Sequence, residues 1–141
     1  MSEILGFVQR HPMLVGAFVV TLGLTIWTEI QRLIRNFADI SPQEAVQLIN
    51  HEDALVIDVR ESNEITGGKI SGAKHIPLSN FAKRVDELDK FKNRKAIVYC
   101  RSGQRSLGAC KQLKAHGFEE VANLKGGILA WESANLPLSK K

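Results

Sequence analysis

Cysteine is scarce in this chain: among 141 residues there are two, Cys100 and Cys110. With no Cys-x-x-Cys and no histidine pair beside them, they offer neither a zinc site nor a disulfide framework. The four histidines (His11, His51, His75 and His116) are scattered without metal-ligand spacing. Charge of one sign is never concentrated. The formal net charge of +4 is spread along the sequence, and between Lys83 and Lys95 basic and acidic residues alternate as on a solvated surface. Aromatic residues make up 6% and never interleave with a basic stripe, which excludes the usual footprint of nucleic-acid binding. Internal repeats and low-complexity stretches are missing as well. What remains is one domain of ordinary size with an appendage, for which no metal, no organic cofactor and no nucleic-acid partner is expected.

Charge is also missing from one continuous run, Pro12 to Thr28, which reads PMLVGAFVVTLGLTIWT. It lies at the short end of the roughly 17–25 residues needed to cross a bilayer, and Gln31 extends it if Glu29 sits at the headgroups. Trp27 falls where an interfacial aromatic belongs, and Arg32 and Arg35 follow. The run is apolar all round, unlike a surface helix. Ile26-Trp-Thr-Glu-Ile30 offers no small-residue cleavage site, which argues against a signal peptide. The expected organisation is therefore an N-terminal tail (1–11), a transmembrane helix (12–31), a linker (32–36), a folded domain (37–138) and a C-terminal tail (139–141). Arg10 on one side against Arg32 and Arg35 on the other leaves the charge count for orientation nearly even.

Beyond the run, strand-like and helix-like segments alternate. Asn36 to Ile40 reads as a short strand, and Ser41-Pro-Gln-Glu44 as a capping box opening a helix from Pro42 to Asn50. Leu55 to Val59, Lys74 to Ile76, Ala96 to Tyr99 and Glu120 to Leu124 read as further strands. Phe81 to Leu88, Ser106 to His116 and Ile128 to Ser133 read as helices, with Gly117 stopping the second and Gly126-Gly127 preceding the third. Such alternation predicts an α/β sandwich on a mainly parallel sheet. Ligands of such sheets sit beyond the carboxyl ends of the strands, where Asp58-Val-Arg60 and Cys100 both fall.

Cys100-Arg-Ser-Gly-Gln-Arg105 carries the chemistry. A strand, a short glycine-containing turn and a helix start gather backbone N–H groups around the cysteine. Helix N-terminus and guanidinium charge both favour an anion, so the thiol is expected to ionise below its usual value of about 8.5. Phosphate-handling cysteine enzymes place arginine six positions after the cysteine. Here Arg105 is at the fifth and Ser106 at the sixth. The shorter cradle suits the terminal sulfur of a persulfide better than a tetrahedral phosphoryl group.

Asp58-Val-Arg60, Gly72-Ala73 with Ile76-Pro77, Tyr99-Cys-Arg-Ser-Gly-Gln-Arg-Ser106, and Gly126-Gly127 with Trp131 together resemble a single-domain rhodanese over roughly residues 37–137. With the apolar run, the chain is most similar to membrane-anchored bacterial rhodanese-like proteins of the YibN type. One departure is visible: the family's glycine–histidine–isoleucine element is Gly68-Lys69-Ile70 here. The resemblance implies a rhodanese-like sandwich, a mainly parallel central sheet flanked by helices, with one transmembrane helix before it. It also implies a thiosulfate sulfurtransferase-type enzyme in which Cys100 is the nucleophile and forms a persulfide.

Backbone N–H groups of Arg101, Ser102, Gly103, Gln104, Arg105 and Ser106 are expected to bind the substrate, and the guanidinium groups of Arg101 and Arg105 to attract an anionic donor. Asp58 and Arg60 are expected to brace the loop. Cys110, at helical spacing with Leu107 and Leu113, is expected in the core, and Trp131 in the packing of the last helix. Glu64 reads equally as the partner of a nearby cation and as a solvated carboxylate. The expected partners are a small anionic sulfur donor, a thiol or cyanide acceptor, the membrane through residues 12–31, and a membrane-bound or soluble protein. A reactive thiol without a disulfide partner belongs in a reducing compartment, which favours a single-pass protein of the inner (plasma) membrane whose domain faces the cytoplasm. A binding module on the same fold, with the cysteine incidental, remains the alternative; a phosphatase or arsenate-type reductase is disfavoured by loop length.

Overall fold

A computed structural model of the chain describes residues 1–140 and divides it into two units, Met1–Arg35 and the remainder from Asn36. The first unit holds α1 (Ser2–Arg10) and α2 (Pro12–Ile34). The tail before the apolar run is thus itself helical, and α2 continues past Gln31, the expected end of the span. Its 23 residues reach about 35 Å, enough for a hydrocarbon core of about 30 Å. The hydroxyls of Thr21, Thr25 and Thr28 donate to the carbonyls of Ala17, Thr21 and Thr25, at 2.7, 2.8 and 2.8 Å. The helix therefore presents no unsatisfied hydroxyl along its length.

The second unit contains β1 (Ala38–Ile40), α3 (Pro42–Glu52), β2 (Leu55–Asp58), β3 (Lys74–His75), α4 (Leu78–Arg84), β4 (Ala96–Tyr99), α5 (Arg105–Ala115), β5 (Val121–Leu124) and α6 (Gly127–Ser133). The strands form one sheet in the order β1-β5-β4-β2-β3, with every neighbouring pair parallel. Strands β2 and β4 are buried at every position. Their side chains alternate between two cores, as the period of two requires. Leu55, Ile57, Ala96, Val98 and Cys100 join Phe81 of α4 and Ala109, Cys110 and Leu113 of α5. Val56, Ile97 and Tyr99 join Ala45 of α3 and Ile128 and Trp131 of α6. Helices cover both faces, which is why these strands read as continuous apolar runs.

The capping box forms as expected: Glu44 N donates to Ser41 Oγ at 3.2 Å, and Ser41 N to Glu44 Oε2 at 3.1 Å. The helix expected over Phe81 to Leu88 is displaced. Helix α4 starts just after Pro77 and ends at Arg84, and Val85–Phe91 then winds as a 3₁₀ helix. The spacing of Val85, Leu88 and Phe91 explains the change. Three residues per turn bring all three toward the core, where a 3.6-residue turn would rotate Phe91 away. The first strand is shorter than expected, and the last begins at Val121. Ser139, in the expected C-terminal tail, pairs in antiparallel fashion with Lys69, with N–H···O distances of 2.7 and 2.8 Å; Lys141 of that tail lies outside the described residues.

Candidate active site

Strand β4 is central in the sheet, and Cys100 immediately follows its last residue. The chain leaves the sheet there, turns through Arg101 to Gln104 and enters α5 at Arg105. The turn requires Gly103, whose φ of +90° lies in the left-handed region, and a Cβ there would stand 3.0 Å from Gly126 N. Curling back, the chain aims Gly103 N at Cys100 Sγ from 3.1 Å and Ser106 N from 3.4 Å. Ser106 Oγ also lies 3.4 Å from the sulfur and donates to Asn123 Oδ1. Cys100, Gly103 and Ser106 are buried, Arg105 is half-buried, and Arg101, Ser102 and Gln104 are exposed along the rim.

Burial by itself pushes the Cys100 thiol up. The Ser106 hydroxyl and the backbone N–H groups of Ser106, Gly103 and Ser102 outweigh it and hold the thiol below its ordinary value. Cys110, in the middle of α5, contrasts. Burial pushes it up to about 12, and the carboxylate of Asp39 and the charge of Cys100 act in the same direction. One cysteine sits in a nest of donors, the other in the core.

The loop is fixed from two sides. On one, α6 begins with its backbone pressed against it: Ile128 N donates to Cys100 O at 2.9 Å and Leu129 N to Arg101 O at 3.2 Å. Gly126 and Gly127, both at positive φ, allow that approach. On the other side Asn123 of β5 donates to Gly103 O at 3.2 Å and to Asp39 Oδ1 at 3.0 Å. Sequence reasoning passed over Asn123. Its signal was a polar side chain in the otherwise apolar strand Val121–Leu124, where burial demands hydrogen-bond partners.

Asp58, at the end of β2, is the register partner of Tyr99. The Arg60 guanidinium grips its carboxylate at 2.8 and 3.1 Å, and Tyr99 Oη donates to Asp58 Oδ2 at 2.8 Å. Arg60 also donates to the carbonyls of Gly68 at 2.9 Å and Glu64 at 3.3 Å, and Ile70 N donates to Tyr99 Oη at 3.0 Å. These bonds run to the segment between Glu64 and Ile70 and not to the cysteine loop. That segment in turn delivers Glu64 to Arg105, Nη2 to Oε2 at 2.8 Å. Of the two possibilities for Glu64 the structure realises the ion pair, and the hydrogen bond from Arg105 holds its carboxyl below the usual carboxylate range. Arg105, expected to serve the anion, is thus engaged by a carboxylate; Arg101 is exposed and makes no ion pair among the described residues. Every buried side-chain nitrogen and oxygen among the described residues has a partner.

Elsewhere Asp86, Asp89 and His116 bring ligand-type atoms together. His116 Nε2 already bonds Asp89, and Lys92 Nζ stands 3.3 Å from the same carboxylate, so these groups are engaged with one another.

The arrangement can hold a thiolate, or the anion of a sulfur attached to it, against directed N–H donors. Comparison with known proteins agrees in kind. The model of the rhodanese-like domain matches residues 41–134. The uncharacterized protein YibN of Escherichia coli strain K12 is 37% identical over 139 residues, covering 98% of this chain and 97% of its own. A sulfurtransferase of Allochromatium vinosum is 40% identical over 92 residues, covering 65% of this chain and 84% of its own. The crystal structure of a rhodanese-related protein from Thermoplasma volcanium superposes with a TM-score of 0.67 at 28% identity, covering 74% of this chain and all of the other.

Proposed function

The chain belongs to the rhodanese-like family and has its sulfurtransferase-type function, and from that premise we propose that it carries sulfane sulfur from thiosulfate to a thiol or cyanide through a persulfide on Cys100, while tethered to a membrane by α2. The observation that carries this reading is the convergence of Gly103 N and Ser106 N on Cys100 Sγ. The thiolate attacks the outer sulfur of thiosulfate. A bond forms between Cys100 Sγ and that sulfur, the bond to the sulfonate breaks, and sulfite leaves with the electron pair. The same N–H groups then oppose the negative charge of the persulfide, much as an oxyanion hole does. In the second half, the carbon of cyanide or the sulfur of a thiol attacks the outer sulfur and the thiolate departs. The cycle is ping-pong, and no general base is required while the thiol is ionised.

Helix α2 is long and apolar enough to cross a membrane, and the need of a free thiolate for a reducing compartment favours an inner (plasma) membrane protein with the domain in the cytoplasm. Incubation with thiosulfate is expected to add one sulfur, about 32 Da, to Cys100, and cyanide to release it as thiocyanate. Absence of both the adduct and thiocyanate would sink the reading. A protein partner that is captured equally well by Cys100→Ser would favour a docking role for the same fold.

A further inference from the structure

Helix α1 has two chemically distinct sides. At about 100° per residue, Phe7, Ile4, Val8 and Leu5 occupy one arc about 160° wide, while Gln9, Ser2, Gly6, Arg10 and Glu3 fill the opposite side. The division has no exception over Ser2–Arg10. None of the apolar side chains is buried: Ile4 is 67% and Leu5 63% exposed. A nine-residue helix is too short to persist in water on backbone hydrogen bonds alone, since isolated helices need about 12–15 residues even to be marginal. Something apolar must cover that arc.

The position of the helix identifies the cover. His11 alone separates α1 from α2, with φ −131° and ψ 56°, outside the helical region. Pro12 forces the break, because proline disfavours helical geometry in the residue before it and is welcome at the first position of the next helix. The Phe7 and His11 rings meet at the corner, with centroids 5.0 Å apart. An amphipathic helix hinged directly to the end of a charge-free span lies where hydrocarbon gives way to water. The likeness to YibN covers 98% of this chain and so takes in this N-terminal unit. We propose that α1 is an in-plane interfacial helix, its Ile4–Leu5–Phe7–Val8 arc set into the lipid acyl region and its Glu3–Arg10 side facing the headgroups, on the membrane surface opposite the rhodanese domain. It rests on the membrane-tether reading of α2.

Nitroxide probes on single cysteines test it in the full chain carrying Cys100→Ser and Cys110→Ala, reconstituted in vesicles of phosphatidylethanolamine and phosphatidylglycerol. Probes at Ile4, Leu5, Phe7 and Val8 should be relaxed mainly by lipid-soluble oxygen. Those at Ser2, Glu3 and Gln9 should be relaxed mainly by a water-soluble nickel chelate, so that the ratio oscillates with a period of 3.6 residues. A probe at Val19 reports α2 separately: if it is aqueous, the tether reading fails, and α1 is judged on its own ratios. Nickel-dominated relaxation at every α1 site overturns the proposal. So does oxygen-dominated relaxation at every site, which means a continued span, and so does low access to both reagents at Ile4 and Val8, which means contact with a second copy.

Discussion

Replacing Gly127 by alanine tests the view that α6 sets the shape of the cysteine loop. A Cβ at this position would stand 2.4 Å from Cys100 O and 2.5 Å from Arg101 O, against backbone that no rotamer change can move. Its φ of +59° adds left-handed strain of about 1 kcal/mol for alanine. Relief requires α6 to back away. That lengthens the bonds from Ile128 N and Leu129 N, each contributing about 0.5–1.5 kcal/mol. With about 1–3 kcal/mol for the overlap itself, the expected loss is about 3–7 kcal/mol. For a domain of this size that lowers the midpoint by at least about 10 °C. Thermal unfolding followed by circular dichroism measures it, and persulfide loading below the new midpoint reports the loop. Gly67→Ala is the control, because a Cβ there meets nothing within 4 Å. Equal midpoints and equal loading for the two variants would refute the argument.

Cys100→Ser is expected to abolish sulfur loading and Cys110→Ser to leave it within about twofold, since Cys110 is a core thiol with its acidity suppressed; sulfane-sulfur mass analysis separates them. Because the folded Cys100 thiol ionises below its ordinary value, loading should rise with pH and level off before a free thiol would. Ser106→Ala removes the hydroxyl that stands 3.4 Å from the sulfur and should move the ascending limb to higher pH, whereas an unmoved limb would deny the hydroxyl its role. Glu64→Gln frees Arg105 and removes a carboxylate from the donor's approach. It should raise kcat/KM for thiosulfate about two- to fivefold at low salt and less at high salt, as expected of a partly exposed pair. Asn123→Leu keeps the size of the side chain but removes the donor to Gly103 O and the acceptor of the Ser106 hydroxyl, at a cost of about 2–4 kcal/mol seen in urea unfolding.

The elements were legible where one local signal decided them. Ser41 and Glu44 announce α3 by reciprocal capping, and the runs before Asp58 and Cys100 announce β2 and β4 because helices cover both faces of the sheet. The segment from Phe81 to Phe91 was not, because its apolar residues satisfy a period near 3.6 at its start and a period of 3 at its end. Only contact with the core decides where the winding tightens. The helix in Ser2–Arg10 was not legible for a related reason: nine residues before an uncharged run are too few to specify a helix alone, although they divide cleanly into two sides.

The site divides along the same line. Whatever the loop does to its own cysteine is written between Cys100 and Ser106, since Gly103 N and Ser106 N reach the sulfur by the curl of the chain alone. Whatever holds the loop in that curl comes from afar: Asn123 from the neighbouring strand, the α6 backbone through Gly126-Gly127, and Glu64 through the Arg60–Asp58–Tyr99 network. These partners lie about twenty to forty positions away and meet the loop because β5 and β2 flank β4 in the sheet. Sheet order was not readable from the residues, so neither were they. Arg105 shows the consequence. Sequence placed its guanidinium beside the anion. In the fold a carboxylate reaches it first, so the N–H groups that point at the sulfur form the standing complement to its charge, and Arg105 acts on an incoming anion only in competition with Glu64.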